Sequence, residues 1–598
     1  MLKKYRKYLV LALLVICSVL LRIHNISMPI GNDAYAFRQT ETAIVVQNYF
    51  NEGWSLFHYQ MPVLGQPWTI LFEFPIYQTI VYGVMKILHQ TNVDLWCRII
   101  SLFTFYLSVL MLGKVVKLFL DKKAVLYVCA VYLFSPFTIM WSRAALIDFM
   151  SVLFALIYVW SLYEWILYKK KTKFVIAIIS GSIAYLQKAT TMFPYVFLLA
   201  FLILNYLYKE MKGNEKRITF SQIKQFVSSN LKVLILLFIL CVIPGFLWTR
   251  YADSVKAQSV YTQFLTSDAL KAWNYGTWEQ KLDLDNWKII FERITNFMGG
   301  VFICLFLISS YILLQCKKHT FLFLSSMISS LLSIAVLFNL YYVHDYYMIA
   351  VVPLLSICLG IILCTIISSL IKKGNTEKII ISIICVMILF SYLYSNKWYI
   401  NYIVNGQMEN NNVGIYINKI TDANERIVIE GEDWSPITLY YANRKGFMLR
   451  SHSDATEEFY NSFLKEEKYT TLVAHSIDFI DEFSLQQNIL LQYPKQGNAY
   501  VYKFYSNEDF SGRNFLIEKV YISPENQNEY WLQFSNLNIL EIEYDETLAG
   551  KEIEVTIIDK DGNEYLGTVY LGKNQNIVYY KIDELSGNIM SIRFKTNF

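Results

Sequence analysis

The sequence predicts a polytopic α-helical membrane protein of about eleven spans, ending in an extracytoplasmic α/β plus β-sandwich region. Three observations predict it. Of 598 residues, 55% are hydrophobic, and mean hydropathy is +0.34; soluble domains run at roughly 45–50% apolar. The excess is gathered in the first two-thirds of the chain, in runs near the ~20 residues that cross a bilayer. Lysine and arginine also recur in every second connection, as the positive-inside rule requires.

The spans fall at 7–24, 95–119, 124–142, 146–168, 174–190, 191–208, 231–250, 297–315, 320–340, 346–371 and 379–395. The two that meet near residue 190 can also merge. With the N-terminus inside, the inside connections carry Lys122 and Lys123, then Lys169 to Lys173, Lys209 to Arg217, Lys317 and Lys318, and Lys372 to Lys378. The alternating connections are acidic, mixed or rich in tryptophan. This map places the tail outside the cytoplasm of a cell (plasma or inner) membrane. The N-terminal basic patch and apolar run resemble a signal peptide, but no small-x-small cleavage site follows. They read as an uncleaved first span.

All nine cysteines lie in or beside apolar runs, none after Cys385, with no metal-binding spacing. The net charge of +5 forms no concentrated basic surface of the kind that binds nucleic acid. No GxxxxGK[ST] or GxGxxG loop occurs, so nothing points to a soluble nucleotide donor.

Residues 1–400 therefore form a transmembrane domain. Its first outer loop, 25–94, is far longer than a connection needs. Within it, 36–50 reads as a helix with Phe37, Ile44, Val45 and Tyr49 on one side, and 74–88 as a second helix entered through Pro75. Such helices lie flat in the interface. Residues 401–508 alternate strand and helix patterns: strands at 426–430, 470–474 and 500–505, helices at 437–442 and 457–465. That order predicts a small α/β domain. Residues 509–598 show period-two strands at 540–544, 553–557 and 578–582, with a hairpin turn at 559–562, and read as a β-sandwich.

Ionisable residues beside spans are costly and need a reason. Asp33, just after the first span, can cap the helix at 36 or act as a general base. Arg38 and Glu41 suit a surface ion pair. Glu73 sits among apolar residues at the start of the second loop helix. Arg143 and Asp148, five apart, can pair across a turn. Lys188 can snorkel. His344 and Asp345 lie within a tyrosine-rich segment that an aromatic belt explains. All fall on the outer side of the charge map. Together they can bind a phosphate and activate a hydroxyl.

These segments resemble the GT-C fold glycosyltransferases, in particular the protein mannosyltransferase and aminoarabinose transferase-like (family 39-like) group. The resemblance rests on Asp33 with RQTETA at 38–43, EFPIY at 73–77, SRAALID at 142–148, QK at 187–188 and HDYYMIAVVP at 344–353. GEDWSP at 431–436 and LYYANRKG at 439–446 resemble a segment of bacterial members. It covers about 1–450 of the chain.

It implies an inverting enzyme that takes a sugar from a polyprenyl-phosphate lipid and transfers it to an extracytoplasmic glycan, lipid or protein. Asp33 is then the general base. Arg38, Arg143, Lys188, His344 and Asp345 are candidates for binding substrate and leaving phosphate. Glu73 and Asp148 orient them, and Glu73 with His344 can hold a divalent metal ion, which some relatives use. The sequence departs from the pattern at Asn32, where mannosyltransferases carry a second acid, and at Ile147, where relatives carry proline. Three other readings remain. One is an oligosaccharide transferase or polymerase of the same superfold. Another is a lipid or glycan transporter (flippase), although no internal repeat is visible. The third is a binding or anchoring protein whose tail is the working part, its sandwich binding glycans unless Trp531 and Tyr544 are core.

Overall fold

The computed structural model of the protein describes residues 2–212, 232–298, 317–371, 409–456, 459–460, 464, 469–485, 489–524, 529–531, 539–582 and 589–595. The chain divides into two compact units. The first comprises Met1–Gln60 and Ile70–Gln407, the second Met61–Thr69 and Met408–Phe598.

The first unit is helical. Its helices include α1 (Leu2–Ile23), α2 (Ala36–Asn51), α3 (Ile76–Ile87), α4 (Val93–Lys117), α5 (Lys122–Phe134), α6 (Pro136–Trp141), α7 (Asp148–Tyr168), α8 (Lys171–Lys212), α9 (Lys232–Lys256), α10 (Leu284–Met298), α11 (Lys317–Val336) and α12 (Val352–Ile371), with further short helices at Lys271–Tyr275, Trp278–Leu282 and Phe338–Val343. Among the described residues five, α4, α7, α8, α9 and α11, are long and apolar enough to cross a membrane, and α1 and α12 hold shorter apolar stretches. The expected span 379–395 lies outside the described residues, as does 297–315 but for its first two positions.

Capping residues set several boundaries. Asn92 accepts from Leu95 N at the start of α4, and Asp121 accepts from Lys123 N and Ala124 N at the start of α5. The expected span 124–142 is broken where Ser135 caps α6 and Pro136 takes its first position. At Gly360 a side chain on α12 would strike Val128 Cα at 2.5 Å, so the missing Cβ lets α12 and α5 touch backbone to backbone.

The paired spans 174–190 and 191–208 are two helical arms, given together as α8, that meet at Lys188, where the backbone is extended (φ −166°, ψ 97°). Lys188 lies at Asp148, the first residue of α7. Both flanking arms return to the far end of α7: Lys173 pairs with Glu164, and Tyr206 interacts with Tyr163. The chain therefore doubles back at Lys188, and both arms run antiparallel or parallel to α7 over its length.

The two loop helices form where expected. α2 does not lie flat on a surface, however. Gln39, Thr40, Glu41 and Thr42 are buried along with Ile44, Val45 and Tyr49. Its polar side is turned into the protein, which needs buried partners to be tolerable.

The second unit holds two sheets. The first has eight strands, in the order β2 (Gly446–Leu449), β1 (Arg426–Glu430), β3 (Tyr469–Ala474), β5 (Ala499–Tyr505), β4 (Ile489–Gln496), β11 (Ile577–Lys581), β8 (Ile539–Tyr544), β6 (Ile517–Ile522). The second has β10 (Glu564–Leu571), β9 (Lys551–Asp559), β12 (Ile589–Lys595) and β7 (Glu529–Trp531). Expected strands and the hairpin at 559–562 are present. The expected helix at 457–465 falls mostly outside the described residues. The expected boundary at 508–509 does not separate two sheets. β11 pairs with β4 through Tyr579 and Leu491, so one sheet runs across it. The sandwich is real but shares that sheet: Leu540, Ile542 and Val578 pack with Ile553, Val555 and Ile592 of the second sheet in one core.

Residues 61–69, from the middle of the first outer loop, complete this unit. Gly446 N donates to Pro62 O at 3.0 Å, Met448 N to Val63 O at 2.9 Å, and Gly65 N to Gly446 O at 3.2 Å. Met61, Val63 and Leu64 are buried, and Arg426 lies over the Trp68 ring at 5.2 Å. Replacing 61–69 by a glycine-serine linker should expose the β2 edge and remove the three buried apolar side chains that pack there. Limited proteolysis is expected to cleave the second unit of that variant much faster, while the membrane-embedded fragment survives.

Candidate active site

The ionisable residues gather at one end of the helical unit, where α7 begins and α8 reverses. Asp33 follows a short 3-10 turn (Ile30–Asn32) whose first N–H is held by Asp94 Oδ2 at 3.0 Å. Asp33 does not cap α2. That helix begins after Tyr35, a left-handed residue (φ 51°, ψ 44°) with no side-chain cap bond. The left-handed turn swings the chain so that Asp33 faces α4 instead. Its Oδ2 pairs with Arg98 at 2.7 Å, and its Oδ1 accepts from Ala34 N at 2.8 Å. Gln39 ties this loop to the 143–147 turn by donating to Ala34 O and accepting from Ala145 N, both at 2.8 Å.

Arg98 was missed in the sequence reading. It is wholly buried, and it also donates to Met28 O at 3.3 Å. Its signal was available: an arginine inside an apolar run is as costly as any acid beside one.

Arg38 is not a surface residue. It pairs with Glu41 on its own helix and with Glu73 Oε1 at 2.6 Å. Burial pushes the Glu41 carboxyl up despite Arg38 beside it. Burial also opposes the charge on Arg38, but Glu41 and Glu73 outweigh it and hold the guanidinium above its usual range. Glu73 is placed by the loop backbone: Tyr59 OH donates to its carbonyl at 3.1 Å, and Phe74 N donates to Leu186 O at 3.1 Å.

Lys188 does not snorkel to an interface. It is 3% exposed, pairs with Asp148 Oδ1 at 2.8 Å and lies over the rings of Tyr346 and Tyr347 at 5.1 and 4.4 Å. Arg38 and Glu73 are close enough to interact with it. The expected Arg143–Asp148 pair does not form. Arg143 instead donates to the carbonyls of Arg22 (3.3 Å), His24 and Asn25 (2.7 Å), at and just beyond the end of α1, where a cation suits the helix dipole. Its geometry is that of a helix clamp.

His344 and Asp345 lie in the turn before α12. The Tyr35 ring meets the rings of His344, Tyr346 and Trp141 at 5.9, 5.5 and 5.5 Å, so this turn abuts the Asp33 loop. Burial pushes the Asp345 carboxyl up. A further cation, Arg293 of α10, was also missed. It donates to Tyr341 O at 2.8 Å and forms no direct ion pair among the described residues, though Asp345 is near enough to interact with its charge.

Burial first, and then Lys188, Arg38 and Arg293, push His344 down to about 4. The unfolded imidazole binds a proton near pH 6.5, so the folded state holds fewer protons between those values. Stability is full above pH 6.5 and falls as pH drops toward 4, by up to about 3 kcal/mol. The melting temperature of a His344→Gln variant should fall less over that window than that of the wild type. Equal slopes would remove His344 from the acid response.

Among the described residues no three of His, Cys, Asp and Glu converge. Glu73 faces Arg38, and His344 is set among Lys188, Arg38 and Arg293. A divalent cation at Glu73 and His344 would sit amid guanidinium and ammonium groups, so these residues do not fit one.

No protein-family model and no curated protein matches the sequence. Solved structures do. The crystal structure of ArnT from Cupriavidus metallidurans bound to undecaprenyl phosphate superposes with a TM-score of 0.57 at 10% identity, over 83% of this chain and 98% of that one. The same protein in its apo state gives 0.53 at 10% identity, over 82% and 97%. At such identity the likeness is one of fold, and the fold it assigns to this chain is the GT-C fold of polytopic membrane glycosyltransferases.

Proposed function

We propose that the chain is a membrane glycosyltransferase. It moves a sugar from a polyprenyl-phosphate donor to an extracytoplasmic acceptor with inversion at C1. The observation that carries this reading is the Asp33 carboxylate, held by Arg98 and Ala34 N on a loop whose Tyr35 meets His344, around which Lys188, Arg38 and Arg293 gather. Each carboxylate oxygen has two acceptor sites, so both keep one for an incoming hydroxyl. In this reading Asp33 takes the proton of the acceptor hydroxyl, whose oxygen attacks C1. The bond between C1 and the phosphate oxygen breaks, and the lipid phosphate leaves. Undecaprenyl phosphate bound to ArnT, a protein of the same fold, supports a lipid phosphate as the group to be held.

The leaving phosphate brings negative charge. Lys188 is already matched by Asp148, and Arg38 by two carboxylates. Arg293, whose one hydrogen bond goes to a neutral carbonyl, is the cation best able to meet that charge. Arg293→Gln is expected to lower kcat/KM for the donor by roughly 10- to 100-fold, the value of a charged hydrogen bond, with the loss appearing in kcat. An unchanged kcat/KM would move stabilisation of the leaving phosphate elsewhere.

The orientation rests on the charge map, with the N-terminus inside and the site outside. The transporter reading gains nothing from the break in α8, because that break is a reversal between two arms. Transporter helices break within a single crossing. The decisive experiment supplies proteoliposomes with polyprenyl-phosphate-linked sugars and cell-envelope acceptors and follows labelled sugar. Lipid or glycan translocation without transfer would overturn the enzyme reading. Mass analysis of surface glycans with and without the chain would identify sugar and acceptor.

A further inference from the structure

Between α9 and α10 the chain displays large apolar side chains that nothing in the proposed reaction uses. Trp278 is 78% exposed, Leu282 75% and Leu284 80%. Trp273, Tyr275, Ile289 and Phe291 extend the same patch. Trp278 and Leu282 are the two ends of one helical turn (Trp278–Leu282) capped by Thr277, so they project from adjacent turns on one side.

The height of this patch along the bundle is fixed by hydrogen bonds to the end of a spanning helix. Lys281 Nζ donates to Val336 O, the last residue of α11, at 3.4 Å. Gln280 Nε2 donates to Asn339 Oδ1 at 2.7 Å, and Asn339 Nδ2 returns a bond to Trp273 O at 2.8 Å. α11 is long and apolar enough to cross a membrane, which would put a bilayer surface at its end. α9 agrees. Its exposed apolar stripe, including Ile239, Ile243, Phe246 and Leu247, stops at Arg250, whose guanidinium folds back over the Phe246 ring at 5.5 Å. A cation turned back along an apolar face marks an interface.

We propose that the Lys271–Phe291 segment is a membrane-interface foot, with Trp278, Leu282 and Leu284 seated in the headgroup and acyl boundary of the leaflet on the candidate-site side. Its composition fits that occupant. Tryptophan and tyrosine favour this zone; Lys271, Lys281 and Lys288 can meet lipid phosphates but are balanced by Glu279, Asp283 and Asp285, so the rings and not a net charge carry the fit. Lys281 lies 5.3 Å over the Trp278 ring and joins both features. The foot continues into α10, which carries Arg293, so lipid contact and that cation share one rigid element.

The test uses the full chain in lipid nanodiscs. The fluorescence difference between wild type and Trp278→Phe isolates Trp278. Phosphatidylcholine brominated near the headgroup should quench that difference strongly, bromine near the chain end weakly, and aqueous iodide little. This is the pattern of a side chain about 5–10 Å into the boundary. Leu282→Trp in the Trp278→Phe background serves as a second reporter and should behave alike. Quenching by iodide and not by bromine would put the patch in water and overturn the proposal. Quenching by neither would mean that protein covers it, which also overturns the proposal.

Discussion

Asp33→Asn should reduce sugar transfer by ~10²- to 10⁴-fold, the contribution of a general base. The same change should also destabilise the protein, because Arg98 is wholly buried and Asp33 is its ion-pair partner. Removing one member of a buried pair costs about 3–5 kcal/mol. Loss of activity in that variant is therefore ambiguous on its own. The double variant Asp33→Asn with Arg98→Gln removes both charges and leaves two amides able to bond. It should recover most of the melting temperature and none of the transfer rate. Recovery of both would make Asp33 a structural ion and overturn its role as base.

Arg22→Met should be the most damaging substitution outside the site. Arg22 is completely buried within α1. It donates through Nε to Ser142 Oγ at 2.7 Å, through NH1 to Ser18 O and Oγ at 3.0 and 2.8 Å, and through NH2 to Leu133 O at 2.7 Å. Its guanidinium also lies over the Phe105 ring at 4.7 Å. The Leu133 carbonyl belongs to the last turn of α5, where helical donors run out at the break before Pro136. Methionine fills the space but satisfies none of these acceptors, at roughly 1–3 kcal/mol for each one left unpaired. Arg22→Lys restores the charge with fewer, differently directed donors and should rescue only part of the loss. Thermal unfolding in detergent gives the order wild type, lysine, methionine. A methionine variant as stable as wild type would show that the α1–α5 junction does not depend on this residue.

Much of the fold was legible because hydrophobic length and period carry it. The apolar runs at 95–119 and 146–168 became α4 and α7, and the alternating residues at 540–544 and 553–557 became β8 and β9. The residues at the site were legible as a set, since charge beside a span is rare. Their partners were not. Sequence proximity suggested Arg143 for Asp148 and the helix at 36 for Asp33. The structure gives Asp148 to Lys188, brought back by the reversal of α8, and Asp33 to Arg98 on another helix. Arg22 and Arg98 sit inside runs read as spans, where the apolar average hid them. The extent of the larger sheet was also out of reach, since pairing of β4 with β11 joins segments that period alone assigns to separate domains.

The segment at 61–69 has a consequence for how the chain is made. It emerges early from the ribosome, yet the edge it covers, Gly446 to Met448, is synthesised roughly 400 residues later. At about 5–20 residues per second that is an interval of about 20–80 s. During it Met61, Val63 and Leu64 have no sheet to join, and the β2 edge exists only after most of the membrane bundle has been inserted. A chaperone acting on this loop, or slow translation downstream of it, would then govern the yield of complete molecules without touching any residue of the site.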